Sequence, residues 1–222
     1  MKGLFITGVD TEVGKTVVSA ALMAAAPQHT RYWKPVQTGS PTDCDTREVQ
    51  RLAGLAPHRV LDAGARYALP ASPHYAAAQE NETIDVQSVI RQGQEAHNAT
   101  TTWVVEGVGG LMVPLNSQVL LPALIKALEL PCIVVASTRL GTINHTLLTT
   151  RQLEAERIPT LGILLVGDED PSALSALQDH SPFPVLATLP RLPEVTPAGV
   201  HSMAAQLRGV TPITDALQGV TP

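Results

Sequence analysis

Short apolar runs rich in β-branched residues alternate along this chain with longer stretches of helical periodicity. Leu4-Phe5-Ile6-Thr7 reads as a first strand, and Lys15 to Ala26 as a helix ended by Pro27. A second strand runs through Tyr32-Trp33-Lys34 and stops near Pro35, because proline cannot donate to a ladder. Helices are predicted from Asp45 to Leu55 and from Ile84 to His97. A strand at Trp103-Val104-Val105-Glu106, a helix from Leu120 to Leu130 and a strand at Cys132-Ile133-Val134-Val135-Ala136 follow. The pattern then predicts a helix from Asn144 to Ile158, a strand at Gly162-Ile163-Leu164-Leu165-Val166 and a last strand at Val185-Leu186-Ala187. Several strands are apolar at every position rather than every second one, as expected of parallel strands covered on both faces. The βα alternation therefore predicts an α/β fold: a doubly wound, mostly parallel sheet with helices on both faces. With no internal repeat and no long linker, residues 1–222 read as one domain. The Pro/Gly/Thr-rich tail from about residue 209 reads as irregular.

Charge narrows the function classes. Fifteen Lys and Arg stand against 20 Asp and Glu, a formal net charge of −5, so the basic footprint a duplex-binding protein needs is absent. No apolar run is long enough for a bilayer, and Met1-Lys2-Gly3-Leu4 leads straight into a strand rather than a signal peptide. The expectation is a cytoplasmic protein with neither nucleic-acid nor membrane partners. Two cysteines, Cys44 and Cys132, make neither a disulfide framework nor a zinc cluster. Cys132 opens an apolar strand and reads as core, Cys44 as an inert thiol. Trp33 and Trp103 read as core residues flanking strands.

Candidate chemistry concentrates between the first strand and the first helix, in Gly8-Val9-Asp10-Thr11-Glu12-Val13-Gly14-Lys15-Thr16. Binding phosphates requires inward backbone N–H groups, a helix N-terminus, a cation and a metal-binding hydroxyl. Gly14 lets the backbone approach, Lys15 reaches the terminal phosphates, and the Thr16 hydroxyl suits Mg²⁺. The usual phosphate loop has four residues between its glycines; Gly8 and Gly14 are separated by five. Three further polar groups stand at predicted strand or helix ends. Glu106 closes an apolar strand before Gly107-Val108-Gly109-Gly110 and would face the crevice at the carboxyl edge of a parallel sheet. Asp45, in Pro41-Thr42-Asp43-Cys44-Asp45, reads as a helix cap or as a further oxygen ligand for Mg²⁺. Lys34 ends the second strand, ahead of a bend set by Pro35 and Gly39, and would lie near the phosphate loop.

These segments, together with Leu140-Gly141-Thr142-Ile143-Asn144-His145, make the chain resemble dethiobiotin synthetases. The phosphate loop with five intervening residues is itself typical of that family. The resemblance runs in order from Leu4 to about Pro190. It implies an ATP-dependent ligase of biotin synthesis that uses Mg²⁺ and works as a homodimer. Its substrates would be 7,8-diaminononanoate, CO₂ or bicarbonate, and ATP. It further implies that Thr16, Asp45 and Glu106 hold the metal, and that Thr11, Lys15 and Lys34 act in catalysis. Glu12, Val13, Gly14, Val17, Gly107, Val108 and Gly109, with the Pro190-Arg191-Leu192 loop, would contact the nucleotide. Thr38 would meet the amine or carbamate end of the substrate. Gly141, Thr142, Ile143 and Asn144 would reach its carboxylate in the other subunit's site, so that each site is shared across the interface. Family members of the best-known type carry an Asn near the end of the fifth strand to read adenine; Val166 followed by Gly167 stands there in this chain. Nucleoside triphosphates other than ATP are therefore admitted as co-substrates.

Two other readings compete. A related amidoligase would need a glutaminase module for which 222 residues leave no room. A nucleotide switch of the partitioning type would carry an additional lysine early in the phosphate loop, where Val9 and Asp10 stand.

Overall fold

The computed structural model describes residues 1–40 and 44–220. Its strands are β1 (Gly3–Gly8), β2 (Thr30–Trp33), β3 (Val36–Gln37), β4 (Val60–Leu61), β5 (Ala65–Arg66), β6 (Thr102–Glu106), β7 (Cys132–Ser137), β8 (Thr160–Val166) and β9 (Val185–Leu189). Seven of them form one sheet in the order β4-β2-β6-β1-β7-β8-β9, with every recorded pairing parallel. β3 and β5 make a small parallel pair of their own.

Why the strands are apolar throughout is visible in the two cores. Phe5, Trp103, Val105, Cys132, Val134 and Ala136 face one core, while Leu4, Ile6, Val104, Ile133 and Val135 face the other. Alternate residues point to opposite faces, and both faces are covered. The helices are α1 (Lys15–Ala25), α2 (Asp45–Ala53), α3 (Pro73–Gln79), α4 (Val86–Ala96), α5 (Leu121–Leu128), α6 (Thr142–Ala155), α7 (Pro171–His180), α8 (Pro197–Leu207) and α9 (Thr211–Leu217). α4, α5, α6 and α7 contribute buried side chains to the first core. α1, α2, α8 and α9 cover the second. The doubly wound expectation holds, and Trp33, Trp103 and Cys132 are fully buried. Among the described residues no helix is long and apolar enough to cross a membrane.

One expectation needs correcting. The segment from about residue 209 is not irregular, because α9 occupies Thr211–Leu217 and buries Ile213, Ala216 and Leu217. Those residues sit at i, i+3 and i+4, one face of a helix. Pro212 falls in the first turn, where a missing N–H removes no helical bond. Residues 221–222 of that tail lie outside the described residues, as do Pro41, Thr42 and Asp43 of the segment quoted before Asp45.

The chain passes from β6 to β7 across β1, which pairs with both. At such a reversal the connections leave in opposite directions, opening a crevice at the carboxyl ends of the strands. β1 leads there into the phosphate loop, β6 ends there on Glu106, and the chain leaving β2 carries Lys34 there.

Candidate active site

Between β1 and α1 the loop turns through the left-handed region at Glu12 (φ 55°) and Gly14 (φ 103°). Glycine adopts that conformation freely, whereas a residue with a Cβ is strained there by roughly 1–2 kcal/mol. Gly14 is the N-cap of α1, and no side chain caps the helix. Its first N–H groups therefore remain for a ligand of negative charge. Lys15 folds back over the loop, its Nζ donating to the Asp10 carbonyl at 2.6 Å. Gly8 makes room for it: a Cβ there would stand 3.0 Å from the Lys15 Nζ. Burial, and then the neighbouring Lys34, bring the Lys15 pKa down to about 8.

Behind the loop six polar side chains converge. The Lys34 Nζ lies 2.6 Å from Asp45 Oδ2 and 3.0 Å from Glu106 Oε1. The Thr16 hydroxyl donates to Asp45 Oδ1 at 2.5 Å and is 3.1 Å from Glu106 Oε1. Asp45 also accepts from Gln37 Nε2 at 3.4 Å. The Tyr32 hydroxyl donates to Glu106 Oε2 at 3.0 Å. Lys34 and Glu106 are almost wholly buried, with side-chain exposures of 4% and 0%, whereas Asp45 keeps 24%. Burial alone would lower the Lys34 pKa, yet Glu106 and Asp45 outweigh it and hold the ammonium above its ordinary value. Burial likewise opposes ionisation of Asp45, but Lys34, then Thr16 and Gln37, keep it below the usual carboxylate range. Burial, with the negative Glu106 beside it, pushes the Tyr32 phenol well up, so it stays a donor.

The capping alternative for Asp45 is settled by this geometry. Cys44, not Asp45, is the N-cap of α2, and no side chain caps that helix. Asp45 occupies the first helical position and turns both oxygens toward Thr16 and Lys34.

These groups line a cavity of about 650 Å³. Of the residues anticipated from sequence, Thr11, Glu12, Gly14, Lys15, Thr16, Val17, Lys34, Thr38, Asp45, Glu106, Val108 and Gly109 line it. Val13 instead packs into the core beneath the loop. A Cβ at Gly107 would meet the Phe5 ring at 3.0 Å, so that residue sits against β1 rather than in the cavity wall. Asp10, Gln37, Gly110, Val113, Pro70, Ala71, Ser72 and Pro73 complete the lining; of these, sequence reasoning had no role for Val113, Pro70 or Ala71. Tyr32 was read only as a strand residue. Its signal was a phenol two positions before Lys34 in a strand predicted to be buried, since a buried hydroxyl requires a partner.

The comparisons with known proteins agree with this geometry. A family described as an AAA domain matches residues 2–199. An ATP-dependent dethiobiotin synthetase BioD of Paramagnetospirillum magneticum is 41% identical over 221 residues, 99% of each chain. Its counterpart in Agrobacterium fabrum is 41% identical over 201 residues, covering 90% of this chain and 92% of its own. The chain belongs to the dethiobiotin synthetase family. Among solved structures, the septum site-determining protein MinD of Pyrococcus horikoshii, complexed with Mg-ADP, aligns with a TM-score of 0.53. The identity is 16%, over 99% of this chain and 94% of that one. A ParA family ATPase from Chlorobium tepidum aligns with a TM-score of 0.56 at 9% identity, over 98% of each chain. Both likenesses concern the fold alone.

Other positions singled out from the dethiobiotin synthetase resemblance lie outside the cavity. Gly141 (φ 94°) is the N-cap of α6, again with no side-chain cap. Thr142 is buried, Ile143 half-buried and Asn144 exposed. Pro190, Arg191 and Leu192 follow β9 at the same edge of the sheet, with Leu192 packed toward Gly199 of α8. Val166 lies against the phosphate loop: a Cβ on Gly14 would stand 3.3 Å from its Cγ1. Its carbonyl accepts from Thr138 N, and the Gly167 N–H donates to the Leu189 carbonyl.

Proposed function

We propose that the chain catalyses ATP-dependent formation of the ureido ring of dethiobiotin from 7,8-diaminononanoate and CO₂, releasing ADP and phosphate. One substrate amine captures CO₂ as a carbamate with loss of a proton. The carbamate oxygen attacks the γ-phosphorus, ADP leaves, and a carbamic–phosphoric anhydride remains. The second amine then attacks its carbonyl carbon and gives up a proton, the C–O bond to phosphate breaks, and the ring closes as phosphate leaves.

The observation that carries this reading is the meeting of Lys15, Lys34, Thr16, Asp45 and Glu106 at one cavity, in a chain 41% identical to a dethiobiotin synthetase over its length. Phosphoryl transfer depends chiefly on positioning and on cations that neutralise the transferring oxygens. Lys15 and the uncapped start of α1 suit the β- and γ-phosphates. Lys34 suits the anionic carbamate, which ATP would otherwise repel, and Thr11, Glu12 and Thr38 line the approach.

The donor set fits Mg²⁺. Thr16, Asp45 and Glu106 present hard oxygens, and the Lys34 ammonium already sits between the two carboxylates. Among the described residues no three His, Cys, Asp or Glu side chains gather as a metal cage. Phosphate oxygens and water would complete the shell, as this ion prefers. When bound, the metal neutralises charge on the triphosphate.

The working form is a homodimer, with Gly141 to Asn144 of a second copy completing the site. Met112, Leu140 and Leu148 are exposed apolar residues. Met112 and Leu148 line a hollow with Val9, Asp10 and Gly110, directly beside the phosphate loop. An apolar surface in that position suits a partner that closes over the cavity.

Incubating the protein with 7,8-diaminononanoate, bicarbonate, Mg²⁺ and ATP should yield dethiobiotin and ADP by mass spectrometry. ADP formation that needs neither diamine nor bicarbonate, with no dethiobiotin formed, would overturn the reading in favour of a nucleotide switch.

A further inference from the structure

The two oxygens of Glu106 have different surroundings. Oε1 faces the phosphate loop, 3.0 Å from the Lys34 Nζ and 3.1 Å from the Thr16 hydroxyl. Oε2 faces the core and accepts from the Tyr32 hydroxyl at 3.0 Å. Tyr32 has no exposed surface, and the parallel register pairs it with Val104, two residues before Glu106 on the same face of β6. Tyr32 belongs to the second core, together with Val49, Leu52 and Val104. The hydroxyl end thus reaches the carboxylate along the sheet, and core packing limits its freedom to move.

We infer that Tyr32 is a positioning residue for the metal ligand Glu106: by holding Oε2 against the core, it presents Oε1 alone to the cation. The inference rests on the reading of Glu106 as a metal ligand. One fixed oxygen at a set angle suits Mg²⁺, which demands near-octahedral geometry. A carboxylate free to turn can offer both oxygens, a geometry that Ca²⁺ accepts and Mg²⁺ does not favour. Tyr32 should therefore sharpen the preference for Mg²⁺ over Ca²⁺, which a tyrosine that merely fills the core would leave unchanged.

The test is ADP affinity, measured by calorimetry in EDTA, in Mg²⁺ and in Ca²⁺, for the wild type, Tyr32→Phe and Glu106→Gln. Tyr32→Phe keeps the ring and removes one hydroxyl. Affinity in EDTA should stay within about twofold of wild type, while the gain produced by Mg²⁺ falls by roughly tenfold, the usual cost of losing an outer-shell partner. The gain produced by Ca²⁺ should fall several-fold less. An unchanged Mg²⁺ gain in Tyr32→Phe, beside a lost gain in Glu106→Gln, overturns the role of Tyr32 and leaves the ligand reading standing. Equal losses for the two ions overturn it as well. A full Mg²⁺ gain in Glu106→Gln, or no gain in the wild type, overturns the ligand reading itself. Should Tyr32→Phe fail to fold, a crystal structure of the wild type with Mg²⁺ and ADP decides. Coordination through Oε1 alone supports the inference, and bidentate coordination by Glu106 overturns it.

Discussion

Replacing Lys34 by Met keeps a side chain of similar length and removes only the ammonium. In the metal-free protein this leaves the buried Glu106 and the partly exposed Asp45 facing each other without the cation now between them. Removing one partner of a buried pair costs roughly 3–5 kcal/mol. The lower end applies, because Glu106 keeps its bonds from Tyr32 and Thr16 and Asp45 retains access to water. At roughly 2–4 °C per kcal/mol for a chain of this length, Tm should drop by about 6–12 °C in EDTA. Added Mg²⁺ should narrow that gap, since the two carboxylates then regain a positive partner. The pH dependence follows with a definite sign. Lys34 lies above its ordinary 10.5 when folded, so its contribution is full below 10.5 and fades as pH rises through the raised value. Asp45 lies below 3.8, so its contribution is present above 3.8 and fades as pH falls through the depressed value. The difference between wild type and variant should thus be flat across neutral pH and shrink in strong acid. Thermal unfolding by circular dichroism, with and without Mg²⁺, measures all of this. A Tm within about 2 °C of wild type in EDTA would refute the claim that Lys34 neutralises this cluster.

Other outcomes follow from the same geometry. Lys15, with a pKa near 8 in the free protein, should be driven back to its charged form by phosphates. ADP binding at pH 8.5 should then take up more than about half a proton, read from calorimetry in buffers of different ionisation enthalpy; buffer-independent heats would contradict it. Val166 offers adenine neither donor nor acceptor, and the backbone carbonyl of Val166 and N–H of Gly167 are already bonded. CTP, GTP and UTP should therefore support dethiobiotin formation within roughly tenfold of ATP, about 1.4 kcal/mol; a thousandfold preference in a competition assay would show that another group reads the base. Ile213→Ala, in the fully buried face of α9, should cost about 2–4 kcal/mol, seen as a lower urea midpoint; an unchanged midpoint would mean that α9 adds nothing to the core.

What sequence alone determined was whatever adjacent residues encode. Strands apolar at every position required cover on both faces, and the two cores on either side of β1, β6 and β7 supply it. The phosphate loop was legible because its chemistry lies in one contiguous segment whose glycines and lysine act within a single turn. Only the tertiary structure decided how the distant groups combine. Lys34 and Glu106 lie 72 positions apart along the chain, and Tyr32 and Glu106 lie 74 apart, yet β2 and β6 are neighbours in the sheet. Whether Asp45 caps its helix or turns toward the cavity depended on Thr16 and Lys34 arriving from other elements, which no local pattern records. The same holds for α9, whose short apolar face gains a reason to be helical only once the sheet is there to bury it, because a helix of that length is not stable by itself in water.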